Sequence, residues 1–198
     1  MKHERRQDIL TAAMQLFAKK GFRGTTTRDL AAQAGVNEAI IFRHFSTKEE
    51  LYSAILEHKA CENRDARSDE IDQLAAGTDD VKFFQAVGRT FLERHARDAT
   101  FMRLLLFSAL EGHELSQMFV ANMAARNPNP IANYIKRRIA EGAFRPMNPE
   151  LAARGLFGMF ASFVLWQEVF GQKETHAYDR DEVVRTFVSI FLSGISKE

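Results

Sequence analysis

The chain has 198 residues, with 27 basic and 26 acidic side chains, a formal net charge of +1 and 45% apolar residues. That length supports one compact unit or two small ones with a substantial core, and the near-neutral balance excludes a polybasic tail as the means of reaching a polyanion. Cys61 is the only cysteine, which excludes an intramolecular disulfide and makes a reducing compartment the natural expectation.

The start, M-K-H-E-R-R-Q-D, lacks the apolar stretch of a secretory signal. The longest apolar run, residues 155–166, is well short of the ~20 residues that span a bilayer. A soluble cytoplasmic protein with no membrane partner is expected. Basic groups outnumber acidic ones over residues 1–60 and fall slightly behind them afterwards. This asymmetry is weak, so a positive patch has to come from placement.

In chain order, every predicted element is a helix. Ile9, Leu10, Ala13, Leu16 and Phe17 recur at helical spacing, and Gly21 ends that first helix. Thr26 with Asp29 makes a capping-box start for a second helix, which Gly35 stops. Asn37 caps a third from about Glu38 to His44. Ser46 with Glu49 repeats the capping pattern and opens a fourth at Thr47 or Lys48, running to about residue 67. Two short helices joined by a tight turn containing Gly are the helix-turn-helix geometry, whose second helix can enter a DNA major groove.

Further on, Asp79 or Asp80 starts a helix carrying Phe83, Phe84, Val87, Phe91 and Leu92, and another spans about Thr100 to Leu110. A further helical stretch begins near Glu114 and is broken or kinked by N-P-N-P at 127–130. Ile131 to Glu141 resumes, ended by Gly142. Asn148 as cap with Pro149 at the first helical position begins a helix to about Phe170, stopped by Gly171. A final helix spans roughly Asp181 to Leu192. No stretch shows sustained alternation of period two, so strands are not expected.

The run from Ile9 to Leu51 resembles the N-terminal domain of TetR-type (TetR/AcrR) transcriptional regulators. The resemblance is carried by L-F-A-K-K-G-F, T-T-R-D-L-A-A-Q-A-G-V and F-R-H-F-S-T-K-E-E-L at fixed spacing. The rest of the chain resembles the family in size, all-helical character and a few end motifs. Two positions depart from the pattern. Phe42 stands where Tyr is usual, removing a hydroxyl that members use on a phosphate, and Ala39 stands where Gly is usual. The resemblance implies an all-α fold: an N-terminal three-helix helix-turn-helix DNA-binding domain plus a C-terminal helical bundle for sensing and dimerisation. The expected division is residues 1–47 and 48–198, connected by the helix from about 48 to 67.

Within that frame Thr26, Thr27 and Arg28 sit at a helix N-terminus, where free N–H groups and the helix dipole favour a phosphate. Lys48 holds the equivalent place on the next helix. Arg43 and His44 project from the end of the recognition helix toward a DNA strand, with Phe42 on the same helix. Base readout is expected from Asn37, Glu38, Ala39 and Ile40: Glu38 can accept from a cytosine amino group, and Ala39 or Ile40 can touch a thymine methyl. Each also has a structural reading, with Thr26 as a cap, Glu38 as a solvated residue, Ile40 as core, and Phe42 and Phe45 as packing residues.

The resemblance also implies a sensor domain that binds a small molecule and alters the spacing of two DNA heads. Candidate lining residues are Phe84, Phe91, Met102, Leu105, Met118 and Phe119. Phe163 and Trp166 join them, with His58 and Cys61 as polar candidates. Seventeen Phe and seven Met suit a roomy apolar cavity and an ordinary core equally well. The helix from 149 is apolar around most of its circumference and carries small residues. Gly155, Met159 and Ser162, with Val184, Phe187, Val188 and Phe191 of the last helix, are therefore expected at a homodimer interface, the alternative being a helix central to its own domain.

No Ser/His/Asp spacing, phosphate-cradling Gly loop or metal box is present, so neither an enzyme, a cofactor nor a bound metal is expected. Glu111, His113 and Glu114 read as solvated groups. The function expected is a homodimeric DNA-binding repressor of a palindromic operator, released by an apolar or aromatic inducer. The alternatives are a helical ligand-binding or interaction module and a constitutive DNA binder without effector.

Overall fold

The computed structural model describes residues 2–65, 69–111, 117–118, 121 and 129–196. Its helices in chain order are α1 (Lys2–Lys20), α2 (Thr27–Ala34), α3 (Glu38–His44), α4 (Lys48–Asp65) and α5 (Asp69–Ala76). They continue with α6 (Asp80–Arg97), α7 (Thr100–Leu110), α8 (Pro130–Ala140), α9 (Pro149–Val164) and α10 (Arg180–Ile195). The expected helix near Glu114 falls almost wholly outside the described residues. The only extended pairing among them is an isolated bridge between Phe144 and Ser196.

The chain forms two compact units, Met1–Ala66 with Thr100–Ala125, and Arg67–Ala99 with Arg126–Glu198. This division differs from the expected boundary at residue 47. The reason is burial: Leu51, Tyr52, Ile55 and Leu56 of α4 and Leu104 of α7 are enclosed with α1–α3 rather than apart from them. In this first unit α1 packs on α2, α4 and α7. Its inner stripe, Ile9, Ala13 and Phe17, meets Leu30, Ile41, Phe45 and Ile55. Full burial of each large apolar side chain contributes roughly 1.5–3 kcal/mol. Phe17, Phe22 and Tyr52 form a ring cluster with centroids 5.4, 6.1 and 6.3 Å apart.

In the second unit α6 packs on α5, α9 and α10. Gly88 makes the α6–α9 crossing close: a Cβ there would stand 2.5 Å from Phe160 Cζ. Asp80 accepts from the Tyr134 hydroxyl (2.7 Å) and from Arg138 Nε (2.8 Å), tying α8 to the start of α6. Burial and this carboxylate push the Tyr134 phenol well above its usual range, and the same carboxylate raises Arg138.

Most helix ends fall where the sequence predicts them, and three points differ. Helix α5 was not expected, although Asp69 and Glu70 stand in its first turn and Ile71 is buried. The cap of α4 is shifted by one residue: Thr47 Oγ1 accepts from Glu50 N (3.0 Å), and Glu50 Oε2 accepts from Ser46 N (2.7 Å). The helix expected to reach Phe170 is α-helical only to Val164, then widens into a π turn over Leu165–Val169 before Gly171 (φ 76°).

Candidate nucleic-acid interface

The helix-turn-helix is built from local hydrogen bonds that the sequence encodes directly. The Thr26 hydroxyl accepts from Asp29 N (3.1 Å), and Asp29 Oδ2 accepts from Thr26 N (3.0 Å). Lys20 Nζ bonds the other carboxylate oxygen at 3.0 Å. The backbone N–H of Thr26, then the Lys20 and Thr26 side chains, hold the Asp29 carboxyl down at about 2 from an ordinary 3.8. Gly35 takes φ 64° to end α2, and Val36 N closes the turn onto Ala31 O at 3.0 Å. Asn37 Oδ1 then accepts from Ile40 N (3.0 Å) to start α3.

Helix α3 has one face in the core and one outside. Ile41 is buried, as is Phe45 just past its end, while Ala39, Phe42 and Arg43 are exposed at i, i+3 and i+4. Phe42 is 52% exposed, so it is a surface residue and not the packing residue its structural reading made it. Of the residues proposed for base readout, Ile40 is half-buried against the core and Asn37 is engaged as the cap. Glu38 accepts from Thr27 Oγ1 at 2.6 Å and lies 4.0 Å from Arg28 Nε, which gathers three candidates where the starts of α2 and α3 meet. His44 is half-buried beside Phe45.

Lys48 is placed differently from the expectation of a simple phosphate contact. Its ammonium donates to Phe22 O (2.7 Å) and Thr25 O (2.8 Å) and sits 4.3 Å over the Phe22 ring. Burial lowers its pKa, which the nearby Glu49 and Glu111 carboxylates partly offset. The carbonyls it binds belong to the turn leading into α2. Nothing in the local sequence signals this bond, because the partners lie 26 and 23 residues away.

The ligand candidates are not gathered into one described cavity. Phe84 is fully buried among Phe83, Tyr134, Phe144 and Phe191, so it is a core ring rather than a pocket wall. Phe91 is half-buried against His95 (4.2 Å) and Phe157 (5.2 Å). Burial depresses the His95 pKa, although the Phe91 carbonyl opposes this. Leu105 packs on the core of the first unit, Met102 is half-buried and Met118 is exposed. His58 Nε2 pairs with Gln7 at 2.8 Å. Phe119 and the Cys61 side chain lie outside the described residues. Phe163 and Trp166 do line a hollow of about 700 Å³ between α9, the segment after it and α10, with Tyr178, Glu182 and Phe187.

Three residues assigned to a dimer interface are enclosed by their own unit. Val184, Val188 and Phe191 are buried on the inner side of α10, the helix that packs on α6. Their apolar rhythm is satisfied within the chain. Gly155 and Ser162 are exposed, and Met159 and Phe187 are half-buried beside the hollow. The outward faces instead carry Leu151, Trp166 and Ile190, each more than half exposed. Among the described residues no cluster of metal-ligating side chains is present, and no helix is long and apolar enough to cross a membrane.

Two family models match this chain. The one described as "Bacterial regulatory proteins, tetR family" matches residues 9–55, and "AefR-like transcriptional repressor, C-terminal domain" matches residues 82–194. The HTH-type transcriptional repressor Rv3405c of Mycobacterium tuberculosis is 50% identical over 50 residues, 25% of this chain and 27% of that protein's length. The HTH-type transcriptional repressor KstR2 of the same species is 27% identical over 99% of this chain and 95% of its own. Among solved structures, the transcriptional regulator FadR of Bacillus subtilis in complex with stearoyl-CoA superposes with a TM-score of 0.74. It is 20% identical and covers 95% of this chain and 98% of its own.

Proposed function

Because the chain belongs to the TetR family of DNA-binding transcriptional regulators, we propose that it is a homodimeric repressor of a palindromic operator, released by an apolar or aromatic small molecule. DNA reading is assigned to the face of α3 bearing Ala39, Phe42 and Arg43, flanked by the α2 N-terminus with Thr26, Thr27 and Arg28. The observation that carries this is the two-sidedness of α3: Ile41 and Phe45 lock it to the core while the opposite face stands open to a groove. Repression is the sense suggested by the names of Rv3405c and KstR2.

Dimerisation is assigned to the outward faces of α9 and α10. Gly155 and Gly158 on α9 and Gly194 on α10 each have open space where a Cβ would stand, with no described atom within 4 Å. Glycine inside a helix costs about 0.5–1 kcal/mol relative to alanine, and no described residue crowds these positions. Close approach by a second copy accounts for them, and a two-fold dimer matches a palindrome. Sensing is assigned to the second compact unit, which carries the aromatic hollow. Among the described residues no Lys, Arg or His lines it and Glu182 does, which suits an apolar or aromatic ligand better than the phosphate-bearing stearoyl-CoA held by the Bacillus subtilis relative.

The test is release. A duplex bound by the chain is titrated with apolar and aromatic compounds while operator affinity is followed. The proposal expects at least one class to weaken binding about tenfold or more, since a ligand shifts an equilibrium only by its differential affinity. Unchanged affinity at saturation with the compounds would make the chain a constitutive binder.

A further inference from the structure

The turn between α1 and α2, residues 21–26, delivers the N-terminus of α2 to the DNA-reading face, and part of its hydrogen bonding comes from far along the chain. Its one internal backbone bond is Thr25 N to Phe22 O at a long 3.4 Å. The Thr25 hydroxyl donates to Gly21 O at 2.8 Å and the Thr26–Asp29 pair caps its end, and two distant side chains add further bonds. Glu111, immediately after α7, accepts from Phe22 N through Oε2 (3.0 Å) and from Arg23 N through Oε1 (3.4 Å). Lys48, the first residue of α4, donates to Phe22 O and Thr25 O on the same turn.

An anion therefore holds two N–H groups of this turn and a cation holds two of its carbonyls. Charge-assisted bonds of this kind are about twice as strong as neutral ones. The fit is close, because Gly21 (φ 74°) leaves the space the carboxylate occupies: a Cβ there would stand 2.3 Å from Glu111 Oε1. Helix α7 is anchored to the same unit by its packing on α1, and Glu111 N continues its ladder onto Phe107 O at 2.9 Å. Only Asp98 and Ala99 separate α7 from α6, and residue 100 is where the chain passes from the second compact unit into the first.

We infer that Glu111 is a positioning residue for DNA binding, which with Lys48 fixes the α1–α2 turn and hence the presentation of α2 and α3. Withdrawal of Glu111 leaves two backbone donors without their acceptor and lets the turn move while the core beneath it, Leu30, Ile41 and Phe45, stays packed. The inference rests on reading residues 26–43 as the DNA-contacting face.

The experiment compares Glu111→Ala, Glu111→Gln and the parent chain in affinity for a selected duplex and for a scrambled one. Amide hydrogen exchange at Phe22, Arg23 and Leu30 is measured alongside. The expected result for Glu111→Ala is an affinity loss of about tenfold or more for the selected duplex only, with faster exchange at Phe22 and Arg23 and unchanged exchange at Leu30. Glu111→Gln, which keeps one acceptor, falls between. Parent-like affinity and exchange in Glu111→Ala overturn the inference. If that variant unfolds, Glu111→Gln decides: parent-like behaviour in both readouts overturns it, and a partial loss of both sustains it. A parent chain with no preference for any duplex refutes the reading of residues 26–43 instead, and exchange at Phe22 and Arg23 still decides the clasp.

Discussion

Substituting Gly158 by leucine should have opposite effects on the fold and on the assembly. Among the described residues, the Cβ position of residue 158 has no neighbour within 4 Å, and the residue is exposed within α9. Replacing glycine by a good helix former there should stabilise the isolated protomer by about 0.8–1 kcal/mol. In a two-fold dimer whose backbones approach at this glycine, the added side chain is present twice. Overpacking costs roughly 1–3 kcal/mol per site, so the pair costs about 2–6 kcal/mol. At about 1.4 kcal/mol per decade, the dimer dissociation constant should rise by about 30-fold or more. Sedimentation across a dilution series measures that constant, and denaturant unfolding below it measures the protomer. A protomer destabilised by Gly158→Leu would mean that its own fold requires the glycine. An unchanged dissociation constant would place the dimer face elsewhere.

Phe84→Ala should cost about 3–5 kcal/mol in denaturant unfolding, because a ring enclosed by Phe83, Tyr134, Phe144 and Phe191 leaves a cavity; an unchanged midpoint would return it to the pocket wall. His95 has a folded pKa below the ordinary 6.5 because burial disfavours its charged form. The unfolded chain therefore binds the proton more readily, and parent stability should fall as pH drops from about 6.5 through the lower folded value. His95→Gln should remove that part of the decline, and identical pH profiles for the two proteins would show that the ring is not held neutral. Arg43→Ala should weaken operator binding by about 1–3 kcal/mol. A loss confined to one base pair marks base contact, and a uniform loss with a shallower salt slope marks phosphate contact.

The helix-turn-helix was legible because its signals are local. Thr26 and Asp29, Gly35, and Asn37 each act on backbone groups within four residues, and each acts as read. The start of α4 slipped by one position because S-T-K-E-E offers two overlapping capping pairs, and the structure uses Thr47 with Glu50. On α10 the apolar spacing located Val184, Val188 and Phe191 on one buried stripe, but spacing does not say what covers a stripe. Here α6 covers it. The Glu111 clasp links residues 88 and 89 positions apart, and Lys48 reaches back 26, so no local pattern reports either. At Phe84 composition alone could not separate a core ring from a pocket wall, since both call for the same residue types.

The central claim, sequence-specific reading by the α2–α3 head of a dimer, is tested most directly by selecting duplexes from a random pool and measuring affinity for the winner and for scrambled sequence across a salt series. The account predicts a palindromic winner bound about a thousandfold or more above scramble, with a preference that survives physiological salt. Weak binding without a consensus, erased as salt rises, would contradict it.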